Sequence, residues 1–199
     1  MIVNAVVEGK SDEGAVERVI AQAGHEVGRV IDKRGKNNLD PDIAKYNQAA
    51  RQSPWVVFRD TDSVCPVELR RNLTAGITEW SELFHLRLAH SMTEAWLLAD
   101  AASFARFFSV PVGQVPRDPE ALPHAKREVL RLCALSRSRD IRSSMVASDG
   151  DTGPLYVARI NEFARTDWQI DVAMTASPSL RRAVERLRVM GTPPEAQAA

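Results

Sequence analysis

Short apolar runs alternate with amphipathic segments through the first half of the chain. Four runs rich in β-branched and aromatic residues predict buried strands over Ile2–Val7, Glu26–Ile31, Pro54–Arg59 and Phe84–Leu88. The intervening segments predict helices after Ser11, from Pro41 to Ala50 and from Pro66 to Leu73, with a polar loop over Asp32–Asp40. This alternation favours an α/β fold, in which a mainly parallel four-stranded sheet is flanked by helices.

The second half of the chain has a different, mostly helical pattern. Thr93–Phe108 is the strongest helical segment, and a proline-rich loop follows it. Further helices are predicted near Ala125–Leu135, Leu155–Ala164 and Ser179–Val189, without a further strand. We therefore expect an α/β core over residues 1–108, a mostly helical extension packed on the core over 109–190, and a flexible tail over 191–199.

Composition limits the classes of function that need to be considered. A hydrophobic fraction of 44% is enough for a packed core, and 26 basic residues balance 26 acidic ones, so any nucleic-acid binding must come from a local patch. The two cysteines have no metal-binding spacing, and no apolar run approaches the length of a membrane span. The first residues read as a strand rather than a signal peptide, so we expect a cytoplasmic protein without a membrane partner.

Acidic residues follow two of the predicted strands. Glu8 follows the first strand, and Asp60 and Asp62 follow the third. Carboxyl ends of parallel strands meet at one edge of a sheet, so these carboxylates are expected to lie together. Their mutual repulsion is relieved by a cation, and hard oxygen ligands suit Mg²⁺ or Mn²⁺. Helix capping and Asx turns are the structural alternative for such residues.

These two acidic turns resemble the TOPRIM domain, a family of topoisomerases, primases and nucleases. The resemblance rests on Val7-Glu8-Gly9-Lys10-Ser11-Asp12, Arg59-Asp60-Thr61-Asp62 and Thr93-Glu94-Ala95-Trp96-Leu97-Leu98-Ala99-Asp100. The resemblance continues through Pro123-x-x-Lys126, Gly153-Pro154-x-Tyr156 and Ser177-Pro178-Ser179-Leu180. With these motifs, the chain is similar to a TOPRIM-related bacterial family of unknown function. It implies that Glu8 is a metal ligand or general acid/base, and that Asp60 and Asp62 hold the metal. Topoisomerase chemistry is not expected, because no tyrosine stands in the required context.

Further residues near these motifs are candidates for the same site. Glu94 is either a further metal ligand or an acid that stabilises the start of its helix. Asp12 is expected to cap the first helix, and Asp100 to have a structural role at a helix end. Lys126 is a candidate catalytic residue together with Glu8, Asp60 and Asp62. Lys126 and Lys10 either neutralise phosphate beside the metal or are surface lysines.

The densest basic stretch lies in the second half of the chain. Phosphate contact is one interpretation of this stretch, and a solvated helix face is the other. Its members, besides Lys126, are Arg127, Arg131, Arg137, Arg139 and Arg142.

The sequence thus favours a Mg²⁺- or Mn²⁺-dependent nuclease that hydrolyses phosphodiester bonds in DNA or RNA. A role in phage defence is implied by family analogy alone. One alternative is a non-catalytic module that binds nucleic acid or a partner such as an ATPase. Another is a hydrolase of small nucleotide ligands.

Overall fold

The computed structural model describes residues 1–191, so the tail predicted over 191–199 lies almost wholly outside the described residues. All four predicted strands are present within one residue of their predicted ends. They are β1 (Ile2–Val7), β2 (Glu26–Asp32), β3 (Trp55–Asp60) and β4 (Phe84–Ala89). They form one parallel sheet in the order β2-β1-β3-β4, which confirms the predicted fold class. Since β1 and β3 are neighbours, the acidic turns that follow them lie side by side.

Helices cover both faces of the sheet. Those of the first half are α1 (Glu13–Gln22), α2 (Lys36–Leu39), α3 (Ile43–Ala49), α4 (Pro66–Leu73), α5 (Thr93–Leu98) and α6 (Ala101–Phe107). Those of the second half are α7 (Ala125–Ala134), α8 (Arg139–Met145), α9 (Tyr156–Thr166), α10 (Ile170–Ala176) and α11 (Pro178–Arg188).

The helices differ from the sequence predictions at three places. Thr93–Phe108 is two helices rather than one, because Asp100 ends the first and caps the second by accepting a hydrogen bond from Ser103 N at 3.1 Å. The polar segment expected to be a loop contains α2. The short helices α8 and α10 were not predicted.

Two hydrophobic clusters lie on the two faces of the sheet. The smaller joins Val6 and Val57 of the sheet to Leu39 and Ile43. The larger is a single cluster whose first and last members in the chain are Val3 and Met190, and it includes residues of α1, α5, α7, α9 and α11. The C-terminal helices therefore pack against the sheet together with α1, and the division expected at residue 108 stays a prediction.

Within residues 1–191, no helix is long and apolar enough to cross a membrane.

Candidate active site

The carboxyl edge of the sheet holds a cavity of about 270 Å³. Its walls come from the turns after β1, β2 and β3, from the start of α5 and from α7. The candidate residues among its lining are Glu8, Lys10, Asp12, Asp60, Asp62, Glu94 and Lys126. The structure thus brings together the four acids predicted to bind metal, Asp12 and both lysines, whereas Asp100 lies outside the cavity.

Asp60 occupies the end of β3 and is held from the start of α5. Thr93 donates two hydrogen bonds to Asp60 Oδ1, one from its backbone N and one from Oγ1, both at 3.0 Å. Burial raises the pKa of Asp60 well above its usual range, and the charges of Asp12, Glu94 and Glu8 raise it further. The carboxyl therefore favours its neutral form unless a cation compensates for its charge.

Asp12 is buried in the same cavity, which sequence reasoning did not predict. After β1 the chain enters a 3₁₀ segment, Lys10–Asp12, and Gly9 N donates to Asp12 Oδ2 at 2.9 Å. Asp12 precedes α1, but its side chain forms no capping hydrogen bond to that helix, so the expected cap is not formed. Burial, followed by the charge of Glu94, raises the pKa of Asp12 to about 8.

Glu94 lies in the first turn of α5 and is 4% exposed. Tyr156, the first residue of α9, donates from its hydroxyl to Glu94 Oε1 at 2.9 Å. Lys126 Nζ lies over the Tyr156 ring, 5.0 Å from its centroid. Burial raises the pKa of the Tyr156 hydroxyl well above its usual range, and Glu94 adds to this effect, so Tyr156 remains a donor. Its sequence signal was only its place in the family-like pattern.

Glu8 and Asp62 contact cationic side chains on the other side of the cavity. Arg59 Nη1 lies 3.1 Å from Glu8 Oε2 and 3.2 Å from Asp62 Oδ2, and Lys36 Nζ lies 2.8 Å from Asp62 Oδ2. Burial raises the pKa of Glu8 although Arg59 opposes the shift. Asp62 and Ser63 have left-handed backbone, with φ of 49° and 66°, so the turn after β3 differs from a simple strand extension.

The donor chemistry of the cavity fits a hard dication. Besides burial, the charges of Glu94 and Glu8 raise the pKa of both Asp12 and Asp60, and a bound cation would offset that repulsion. Within residues 1–191, however, no group of three or more His, Cys, Asp or Glu side chains is already arranged to hold a metal ion. Metal binding therefore requires side-chain adjustment, and Asp62 would have to leave Lys36 and Arg59.

The remaining candidates lie outside this cluster. Asp100, besides capping α6, accepts a hydrogen bond from Gln169 N at 2.8 Å, which is a structural role. In the basic stretch, Arg131 forms two hydrogen bonds with Glu128 at 2.7 and 2.8 Å, and Arg142 donates to the Ser136 carbonyl at 2.5 Å. The other three arginines of the stretch are exposed, namely Arg127, Arg137 and Arg139.

Comparison of the chain with protein-family models, with curated proteins and with solved structures found no match. The resemblance to the TOPRIM domain therefore stays a prediction.

Proposed function

We propose that this protein is a metal-dependent phosphodiester hydrolase of the TOPRIM type that acts on nucleic acid. The observation that supports this proposal most is the cluster of Asp12, Asp60 and Glu94 in one cavity, at the carboxyl edge of a parallel sheet. Placing several carboxylates close together costs electrostatic free energy, and a bound divalent cation would offset this cost and could act on a phosphodiester.

Each residue of the cavity has a role in this proposal. Asp60, Asp12, Glu94 and Glu8 would hold Mg²⁺ or Mn²⁺, which supplies polarisation of the scissile phosphate and a more acidic water. Thr93 fixes the orientation of Asp60, and Tyr156 fixes that of Glu94. Lys126 is placed to neutralise phosphate charge at the rim.

A second candidate function is a non-catalytic module that binds nucleic acid or a partner protein. The ion pairs of Arg59 and Lys36 favour it, because they neutralise Glu8 and Asp62 without a metal. This candidate predicts binding without cleavage.

Calorimetry with Mn²⁺ and cleavage assays test the proposal. Asp60→Asn and Glu94→Gln are each expected to weaken Mn²⁺ binding about tenfold or more, because each removes an anionic ligand. Cleavage of plasmid DNA or single-stranded RNA in Mg²⁺ or Mn²⁺ should fall with it, and a chelator should stop it. Asp149→Asn, in an exposed loop away from the cavity, is the matched control.

The proposal fails if wild-type protein binds no Mn²⁺, or if both variants bind it like the control. Nucleic-acid binding by a wild-type protein that cleaves neither substrate would support the non-catalytic module.

A further inference from the structure

A second charged surface lies along the outer edge of β4, away from the basic stretch of the second half. Two cavities of about 510 and 230 Å³ follow this edge and share Arg70, Arg87 and Arg186 as lining residues. Arg182 lines the smaller one. These four side chains come from α4, β4 and α11, and we call the surface they form the arginine groove.

The positive charge of the arginine groove is not neutralised by ion pairs, although Glu82 lines its larger cavity. None of its four arginines forms an ion pair with another residue of the described chain, 1–191. Burial, followed by the charges of Arg70 and Arg186, lowers the pKa of Arg87 to about 10. Arg87 Nε is buried and makes no hydrogen bond within the described residues. Four cations without acidic ion-pair partners in a chain of zero formal net charge favour an anionic ligand.

An aromatic side chain stands at one end of the groove. Trp80 lines the larger cavity and is 42% exposed. Its indole Nε1 donates to the Phe84 carbonyl at 3.1 Å, and the Arg70 guanidinium lies 5.2 Å from the ring centroid. A positively charged groove with an exposed aromatic ring is typical of surfaces that bind single-stranded nucleic acid, because unpaired bases offer a face for stacking. Bases inside a duplex do not.

The groove also leads toward the carboxylate cavity. In the sheet register, Phe84 at the start of β4 is level with Trp55, and Ala89 at its end is level with Asp60. His90, the next residue, lines the smaller cavity. The groove therefore follows the six residues of β4, roughly 20 Å, from Trp80 toward the edge that holds Asp60.

We propose that the arginine groove binds the backbone of a single-stranded nucleic acid, stacks one base on Trp80 and directs the strand toward the carboxylate cavity. Only the direction of the strand toward the carboxylate cavity rests on the proposed function. Binding in the groove requires neither metal nor cleavage.

The test is fluorescence anisotropy with a labelled oligothymidylate of about 15 nucleotides, in chelator and over a range of salt concentrations. The variant Arg182→Ala/Arg186→Ala removes two groove cations from one face of α11. The control Arg181→Ala/Arg188→Ala removes the same charge from the same helix, at exposed positions that line neither cavity. Binding of a duplex of the same length is measured for comparison with the single strand. A third variant, Trp80→Leu, tests the contribution of stacking.

We expect the groove variant to bind the oligothymidylate about tenfold more weakly at low salt, and the control to stay within about twofold of wild type. The log–log salt slope should become shallower by roughly 1.4, since each contact to a single strand contributes about 0.7. Trp80→Leu should weaken binding with little change in slope, because stacking carries no charge.

Equal losses in the groove variant and the control would overturn the proposal, as would the absence of binding by wild-type protein in chelator. Tighter binding of the duplex than of the single strand would overturn the choice of occupant. If the groove results hold but no cleavage is found, the groove stands and the proposed hydrolase fails.

Discussion

At the scale of single residues, the site is defined by the carboxyl groups of Asp12 and Asp60, whose ionisation is opposed by burial and by the charges of neighbouring acids. Asp12 has the clearest position, because Gly9 N holds one of its oxygens while Glu94 and Glu8 act on its charge. A carboxyl with a raised pKa is stable in its neutral form, so deprotonation costs free energy in the folded protein. The metal-free protein should show this cost directly.

The stability of the metal-free protein is expected to fall as pH rises. Unfolded Asp12 ionises near about pH 4, whereas in the folded protein its pKa is raised to about 8. Between these values the folded protein binds more protons than the unfolded chain, so the free energy of unfolding decreases with pH, and the loss is complete above about pH 8. Asp12→Asn cannot ionise and keeps an acceptor for Gly9 N.

The measurement is thermal or urea unfolding of wild type and Asp12→Asn in chelator across this pH range. The stability gain of the variant should grow from about pH 4 to about pH 8 and then level off. A gain that does not depend on pH would contradict the raised pKa. Asp149→Asn, which replaces an exposed carboxyl, is the control and should show no such growth.

The sequence predicted the ends of β1 and β3 as the place of the site because an acid after a buried strand is a local signal. It could not reveal that Asp12 turns inward, since the same spacing also suits an exposed helix cap. Tyr156 was out of reach for a different reason. It meets Glu94 across 62 positions of sequence, and no periodic pattern encodes such a contact.

At the scale of elements, the turn after β1 is held by a close contact between α1 and α9. Gly14 N donates to Asn161 Oδ1 at 2.6 Å, and Asn161 Nδ2 donates to the Lys10 carbonyl at 2.8 Å. A Cβ at position 14 would lie 2.9 Å from the Asn161 carbonyl oxygen and 3.0 Å from its Cα. The turn that carries Glu8 and Asp12 therefore depends on a glycine here.

Gly14→Ala is expected to destabilise the protein by about 1–3 kcal/mol through overpacking against the α9 backbone. Without that contact, alanine in a helix would stabilise by about 1 kcal/mol. Thermal unfolding should show a melting temperature lower by about 2–4 °C for each kcal/mol lost.

Gly76→Ala is the matched control, because a Cβ there meets no atom within 4 Å and the backbone is not left-handed. It should change stability by less than about 0.5 kcal/mol. An unchanged or higher melting temperature for Gly14→Ala would show that α9 can move away without cost.

Strand positions were predictable because each strand is a short apolar run between turn residues. The helices α8 and α10 were missed although each is as long as α3, whose start was signalled by Pro41. Their ends depend on tertiary contacts, such as that of Gln169 N with Asp100 Oδ2 just before α10. The break between α5 and α6 was missed because the apolar pattern of Thr93–Phe108 continues past Asp100, although a structural role at a helix end was expected for Asp100 itself.

At the scale of the whole molecule, one hydrophobic cluster joins the first strand to the last helix. It includes Val3 on β1, Trp96 on α5, Phe163 on α9 and Leu187 on α11, all fully buried. The face of the sheet that packs on α1 is therefore covered in part by residues beyond 108. Residues beyond 108 therefore form part of the hydrophobic core itself.

We expect the full chain to unfold in one cooperative transition, and a fragment of residues 1–108 not to fold alone, because it would expose apolar surface that α7, α9 and α11 cover. Urea titrations followed by circular dichroism and by tryptophan fluorescence should coincide for the full chain. A fragment with its own cooperative transition would show instead that residues 1–108 are an independent domain.

The arginine groove has a consequence for solubility. β4 is an edge strand of the described sheet, and one of its outward carbonyls, that of Leu86, accepts a hydrogen bond from Arg70 at 3.1 Å. Unpaired strand edges tend to join the edges of other copies, and cationic side chains along an edge oppose this by repulsion. We therefore expect the groove to oppose edge-to-edge association of the free protein, and an anion that neutralises it without covering the strand to leave that edge open to self-association.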